Sequence, residues 1–420
     1  MKVIIVGAGF GGLAVANTLK NSNLDVLLID KNNYHLFQPL LYQVAVSALS
    51  PGDIAYPIRG IFKNTKNIRV LMEKVVIVDL RSRRVSVSGG ETFDYDYLVL
   101  APGAETSYFG NVEWKDYAVA LKSLPDALAI REKILSTFEE AEKLAYKNLD
   151  ISKHLTFIIV GGGPTGVELS GAIAELIYKT ILPDFPLLRH KKINVILIDA
   201  GNRLLSSYPE ELSEYTYKSL TSLGVKIYLN TRVTSIEKNV IRTTQGTFSA
   251  FNIFWAAGNI ASPLLKSLPV KLDRQGRVVV NPDLSIPGFP DAFVIGDSAS
   301  FTDKNGETLP AIAPVAMQQG KHVGKIILEG LPFGLRPNFV YRDKGTMATI
   351  GKARAVAYLK GQSFKGWFAW LLWSLVHILF LIGFRNKIRV MLEWIWYYIT
   401  NKSGARLIVN AFRKDNSKNC

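Results

Sequence analysis

The chain has almost no cysteine: one residue in 420, Cys420, at its very end. That excludes an intrachain disulfide and any C-x-x-C or C-x4-C dithiol through which many two-nucleotide proteins pass electrons. Histidine is nearly as scarce, with five scattered residues and no zinc-ligand spacing. Low-complexity sequence is absent. Acidic residues are scarce in one region only. From Arg336 to Cys420 there are 3 Asp/Glu against 15 Lys/Arg, whereas the rest of the chain is nearly balanced at 32 against 35. The net charge of +15 therefore belongs mostly to the tail. A basic segment suits nucleic acid or an anionic lipid surface, and the tail's apolar content favours lipid and argues against nucleic acid. A first strand beginning at Lys2 or Val3 leaves no space for a secretory signal, which suggests a cytosol-like compartment.

What the chain does have is two glycine-rich fingerprints about 150 residues apart. The first runs from Val3 to Gly12 (VIIVGAGFGG) and the second from Phe157 to Glu168 (FIIVGGGPTGVE). Each is an apolar strand, then G-x-G-x-x-G, then a helix-like segment. The first glycine makes the turn, the second lets the backbone approach a pyrophosphate, and the third lets helix and strand pack closely. One such motif is weak, since glycine turns also arise for structural reasons. Two in full context point to two dinucleotides, as a flavin enzyme reduced by a nicotinamide requires. At 48% hydrophobic the chain can bury the cores of both domains.

The expected architecture is α/β, with two Rossmann-type dinucleotide-binding domains, as in the two-dinucleotide-binding-domain flavoproteins, and a C-terminal membrane-anchoring helical segment. Residues 1–117 and 264–335 form a discontinuous first domain, 118–263 an inserted second domain, and 336–420 the tail. Val26 to Asp30 reads as the second strand of the first domain, and Asp30 stands where a carboxylate bonds an adenosine ribose. Val195 to Asp199 repeats that pattern in the second domain. An acid there repels a 2′-phosphate and favours NADH over NADPH, although Arg203 lies close in sequence. Ser123 to Lys147 reads as a helix, Tyr97 to Gly103 and Phe254 to Gly258 as strands ending in small-residue turns, Ala292 to Asp297 as a strand ending in Gly-Asp, and Pro310 to Leu328 as a helix. In the tail, Trp367 to Phe384 is an 18-residue run with only Ser374 and His377 polar, followed by Arg385, Lys387 and Arg389. Five of the seven Trp fall between Trp367 and Trp396, the enrichment of a membrane interface. A spanning helix needs roughly 20 apolar residues, so length alone leaves spanning and surface-lying alternatives open, and a buried core helix as well.

With these features in view, the chain resembles the type II NADH dehydrogenases, single-subunit FAD-containing NADH:quinone oxidoreductases that do not pump protons. The resemblance covers nearly the whole length. It rests also on Asn33 to Ala45 (NYHLFQPLLYQVA), Leu49 to Arg59 (LSPGDIAYPIR), Ala313 to Gly320 (APVAMQQG) and Arg342 to Gly351 (RDKGTMATIG). It implies FAD in the first domain, held by Gly7, Gly9, Gly12, Asp30, the Val75 backbone, Gly103 and Asp297. It implies NADH at Gly161, Gly163, Gly166 and Asp199, with Gly258 beside the nicotinamide half and Glu168 near nicotinamide and flavin. The alternative for Glu168 is a first-turn acid favoured by the helix dipole. The family's A-Q-x-A-x-Q quinone motif is matched by Ala313 to Gln318, with Pro314 in place of the first Gln. Gln318 is then the main quinone-side residue, and Tyr42 and Gln43 are weaker candidates.

The resemblance further implies a tail lying in one leaflet at the cytoplasmic face of a cell membrane and a membrane quinone as acceptor; a homodimer is compatible with it, and the scattered histidines lead to no expected metal site. A related FAD-dependent NAD(P)H reductase serving a small electron-transfer protein or a soluble acceptor is the runner-up. A non-catalytic NADH-binding membrane regulator is the reading from another class. The sulfide:quinone oxidoreductases share the architecture but need internal cysteines, which this chain lacks.

Overall fold

The computed structural model describes residues 1–400 and 405–408. The chain groups into two compact units: Met1–Leu36 with Ala55–Glu105 and Asn259–Lys344, and Phe37–Ile54 with Thr106–Gly258 and the described residues from Gly345 onward. The tail from Gly345 and a short stretch of the N-terminal third therefore belong with the inserted segment, while 336–344 stay with the first unit.

The first unit is built on a six-stranded sheet in the order Ser285–Ile286, Phe289–Val294, Tyr97–Leu100, Lys2–Val6, Asp25–Asp30, Ile68–Met72. All its strands but Ser285–Ile286 pair in parallel. Runs such as VIIV and YLVL suit strands covered on both faces. Over one face lies an antiparallel sheet, Val75–Asp79, Arg84–Val87 and Thr92–Asp94, whose Val75, Val78, Val85 and Val87 are buried in one cluster with Ile4, Val6 and Ile29. The helix Phe10–Leu19 packs along the helix Ala313–Glu329. Glycine makes that contact close: a Cβ on Gly320 would lie 2.3 Å from the Gly11 carbonyl oxygen, and one on Gly324 would lie 2.7 Å from Thr18.

The second unit repeats the plan with five parallel strands, Val119–Ala120, Asn252–Trp255, Thr156–Val160, Asn194–Ile198 and Val225–Tyr228 in that spatial order. Leu124–Tyr146 is a long helix opened by a capping box between Ser123 and Asp126. The stretch between Pro164–Glu175 and Asn194–Ile198, which holds Pro183 and Pro186, contains a π-helix, Leu176–Ile181, and a 3-10 turn, Leu182–Asp184. It accounts for the long spacing from Gly166 to Asp199.

The tail is more than helical. Thr346–Gly351, Arg354–Leu359 and Gln362–Gly366 form an antiparallel sheet. Its first strand lies against the helix Pro164–Glu175, where a Cβ on Gly171 would be 2.4 Å from the Ile350 carbonyl oxygen. The apolar run then divides. Trp367–Phe380 is one helix, Leu381 leaves the helical conformation, Gly383 takes φ +86°, and Phe384–Thr400 is a second helix. At 1.5 Å rise per residue the first is roughly 20 Å long, short of a hydrocarbon core of about 30 Å. Among the described residues no helix is long and apolar enough to cross a membrane.

Candidate functional site

The two fingerprints fold alike. Gly7 has φ +97°, and a Cβ there would sit 2.2 Å from the Ala101 carbonyl oxygen; Gly161 has φ +117° and the same relation to Ala256, at 2.7 Å. A Cβ on Gly12 or Gly166 would sit 1.8 Å from the carbonyl oxygen of Gly7 or Gly161. The middle glycines differ: a Cβ on Gly9 or on Gly163 would meet nothing within 4 Å. First and third glycines are thus demanded by packing, while the middle one opens each helix N-terminus to an incoming anion.

The strand-end acids also match. Asp30 accepts from the Ala8 N–H at 2.6 Å and the Asn32 N–H at 2.7 Å. Asp199 accepts from the N–H groups of Gly162 and Gly201. Each carboxylate ties down the residue between the first two glycines of its own loop. Burial leaves the Asp30 carboxyl above its ordinary value, with the Ala8 and Asn32 N–H groups drawing it back in part. Arg203 turns to the Ser206 carbonyl at 2.7 Å.

Around the first loop, Gly103 has φ +77° with open space beside it, and its carbonyl accepts from Ser262 N–H and Ser298 Oγ. Asp297 lies half-buried in the turn Gly296–Ser298. Val75 opens its antiparallel strand and is buried. Buried His35 donates through Nδ1–H to the Ala8 carbonyl at 2.9 Å, while its Nε2 has no partner among the described residues. In the second unit Gly258 has φ +75° and packs beside Phe109, and Trp255 Nε1 donates to the Ser107 carbonyl.

The quinone-side candidates Gln318, Tyr42 and Gln43, and Glu168, expected near nicotinamide and flavin, divide between the two units. Gln318 belongs to the first unit. Its amide donates to the Arg342 carbonyl at 2.9 Å and accepts from the Arg342 N–H at 3.0 Å, clamping the irregular segment before the strand Thr346–Gly351. Its neighbour Gln319 is buried and accepts from the Gly296 N–H, a role that the motif alone did not single out. Glu168, Tyr42 and Gln43 come together in the second unit, where all three line one cleft. The same cleft is lined by Glu175, Thr349, Lys352, Trp370, Trp373, Trp394, Tyr397 and Tyr398.

A chain of hydrogen bonds crosses this cleft. Trp394 Nε1 donates to Gln43 Oε1 at 2.7 Å, and Gln43 Nε2 donates to Tyr42 Oη at 2.9 Å. Tyr42 Oη and Thr349 Oγ1 are 2.9 Å apart, and the Thr349 N–H donates to Glu168 Oε1 at 3.3 Å. Burial pushes the Glu168 carboxyl up to about 8, with the Thr349 N–H drawing it back a little. Burial and the Glu168 charge together hold the Tyr42 hydroxyl protonated well beyond its ordinary range. At neutral pH the cleft therefore holds a protonated acid beside a phenol, both able to donate.

The tail walls the cleft on one side and exposes an apolar surface on the other. Trp373 and Trp394 are buried, with ring centroids 5.5 Å apart, and Trp370 lies 4.6 Å from Tyr398. Trp enrichment thus serves the core as well as a surface. Phe368, Leu371, Leu375 and Leu379 on one helix, and Leu392, Ile395, Trp396 and Ile399 on the other, are exposed. Their near-helical spacing puts each set on one face. Asn386 Nδ2 donates to the Gly52 carbonyl and Arg389 reaches Asp53 at 3.6 Å, joining the second helix to the Phe37–Ile54 segment. Glu175, Lys352 and the aromatic wall were not picked out from the sequence. Glu175 lies seven residues after Glu168, on the same helix face, and that spacing was the available signal.

The pyridine nucleotide-disulphide oxidoreductase family model matches residues 1–320, and the NDH2 C-terminal domain model matches residues 344–402. The type II NADH:quinone oxidoreductase Ndh of Mycobacterium tuberculosis is 41% identical over 97% of this chain and 90% of its own length. NdhA of the same organism is 38% identical over 94% and 86%. Among solved structures, that of NDH2 from Plasmodium falciparum in complex with NADH superposes with a TM-score of 0.85 at 23% identity, covering 97% of this chain and 99% of that one; it shows the shared fold.

Proposed function

The chain belongs to the type II NADH:quinone oxidoreductases, and on that premise we propose that it oxidises NADH and passes two electrons through FAD to a membrane quinone without pumping protons. The observation that carries this reading is the cleft at Glu168: a protonated carboxyl two residues beyond a dinucleotide-binding glycine, walled by the aromatic residues of an apolar tail.

The residues of the first unit fit FAD. Gly9 leaves the start of the helix Phe10–Leu19 open to a pyrophosphate, and Gly103 leaves space beside its turn. Gly7, Gly12, Asp30, the Val75 backbone and Asp297 complete the set that would hold the cofactor. Bound there, FAD supplies a two-electron relay between a hydride donor and a quinone. Gly161, Gly163 and Gly166 would receive the pyrophosphate of NADH, Asp199 its ribose and Gly258 its nicotinamide half. Asp199 on a ribose discriminates against a 2′-phosphate, and Arg203, turned to Ser206, does not offset it.

On the acceptor side Glu168 donates a proton to a quinone oxygen while Tyr42, held by Gln43 and Thr349, orients the head group. Gln318 serves the acceptor by fixing the Arg342 segment. The tail's exposed leucine, isoleucine and aromatic faces rest in one leaflet at the cytoplasmic side, and Arg385 adds attraction to anionic lipid, about 1 kcal/mol per basic residue. The test is direct. Purified protein releases about one FAD per chain, and NADH bleaches it without added thiol. Steady-state turnover in detergent then favours NADH over NADPH and proceeds with quinones. Absence of flavin, or turnover confined to a protein acceptor, overturns the reading.

A further inference from the structure

The reaction draws one proton from water in each turnover. NADH gives up a hydride, which is two electrons and one proton, whereas a quinone needs two electrons and two protons to become a quinol. The second proton must enter a cleft lined by six aromatic residues among sixteen. Glu168 can deliver a proton but then has to be recharged.

A second carboxylate lines the same cleft. Glu175 stands seven residues after Glu168 on the helix Pro164–Glu175, roughly 10 Å along the axis at 1.5 Å per residue and on the same face. Its side chain is 6% exposed, and its Oε1 accepts from the Lys179 ammonium at 2.7 Å. Lys179 itself is 39% exposed and reaches water. It lies in the π-helix Leu176–Ile181 that begins immediately after Glu175, and such π turns recur at functional sites. On the cleft side Glu175 Oε2 accepts from the Lys352 N–H at 2.8 Å. The Lys352 ammonium is held on the Tyr398 carbonyl at 2.6 Å and lies 5.1 Å from the Tyr398 ring and 5.9 Å from the Tyr397 ring. One end of this group therefore faces solvent and the other faces the cleft.

We propose that Glu175, paired with Lys179 at the water-facing edge of the cleft, is the group through which the acceptor site takes up its proton from solvent and recharges Glu168. Its carboxyl gives a proton inward and recovers one from water, so its net charge over a turnover is unchanged. The groups that bias it are Lys179 and Lys352, with the Tyr397 and Tyr398 hydroxyls nearby. The inference rests on the acceptor site proposed above.

Stopped-flow spectroscopy of the flavin-loaded, detergent-solubilised protein tests it. In Glu175→Gln, flavin bleaching by NADH keeps its wild-type rate, and reoxidation by a short-tailed quinone slows about tenfold at pH 8 and less at pH 6, below the roughly 10²-fold that a directly acting acid contributes. Added imidazole or formate restores the lost rate, which a merely structural defect would not allow. Glu175→Asp stays within a few-fold of wild type. Lys179→Met, at a half-exposed position, removes the cation that holds Glu175 and slows reoxidation with bleaching by NADH intact; this variant decides the matter if Glu175→Gln fails to fold. Unchanged reoxidation in Glu175→Gln, a slowing that small acids do not rescue, or unchanged reoxidation in Lys179→Met overturns the inference. If the unmodified protein is not reoxidised by any quinone, the acceptor reading itself falls.

Discussion

The helices that follow the two glycine loops begin identically and then face different things. In the first unit the residue two places after the third glycine is Ala14, buried against the helix Ala313–Glu329 beside Gly320. In the second unit the same place holds Glu168, which faces a cleft instead of a helix. One helix face is sealed by small residues; the other is held open by a strand and two aromatic helices. The loop geometry is common property, and the chemistry specific to this chain comes from what each helix face meets.

The strongest way to break the comparison is at the third glycines. Gly12→Ala and Gly166→Ala each place a Cβ 1.8 Å from a carbonyl oxygen, at a cost of about 4 kcal/mol or more. Gly12→Ala should yield protein without flavin, while Gly166→Ala keeps flavin and loses reduction by NADH; flavin content and bleaching rate read this out. Loss of flavin in both would mean that the loops do not act separately. Next in size is Ala14→Glu, which copies the second helix into the first. An unpaired charge in that contact should destabilise by about 3–5 kcal/mol, seen as a lower thermal midpoint; a neutral effect would show that the first helix face is not sealed.

Glu168→Gln sharpens the comparison from the other side. Loss of a positioned acid slows reoxidation by quinone roughly 10²-fold, and the wild-type rate falls above pH about 8, where Glu168 gives up its proton. The variant loses that limb. The stability sign also follows. Burial raises the Glu168 carboxyl above its value of 4.5 in the open chain, so the folded state binds the proton more tightly. Its contribution declines as pH rises from about 4.5 to about 8, and the thermal midpoint of Glu168→Gln should gain on wild type across that window. A constant difference in midpoint would mean that the carboxyl is not buried.

Smaller effects follow. Asp199→Asn keeps one of the two acceptors that Gly162 and Gly201 use and removes the charge, so the preference for NADH over NADPH should narrow about tenfold; an unchanged ratio would leave Asp199 as a turn residue. Gln318→Ala releases Arg342 and should slow reoxidation only a few-fold, about 1 kcal/mol for the lost hydrogen bonds, with reduction by NADH intact.

The two regions also differed in how plainly the sequence spoke. The loops were legible because strand, glycines and acid are contiguous and each glycine answers a steric demand. Ser123, Asp30 and Asp199 were legible for the same local reason. The cleft was not, because its wall is assembled from residues near 42, 168, 349, 370 and 394, and no local pattern reports their meeting. Tyr42 and Gln43 read as loop residues until Thr349 and Trp394 supplied their partners. Gln318 stood out through a motif, yet its amide spends both ends on one backbone segment. The apolar run from Trp367 to Phe384 read as one element because hydropathy is blind to the bend at Leu381 to Gly383.

The measurement that tests the central claim most directly is photolabelling with an azido-quinone, followed by peptide mapping. Irradiated with the flavin-loaded protein, the probe should mark residues 37–54, 346–352 and 367–400, and an excess of unlabelled quinone should suppress that marking. Label confined to other parts of the chain would contradict the placement of acceptor chemistry in the cleft at Glu168.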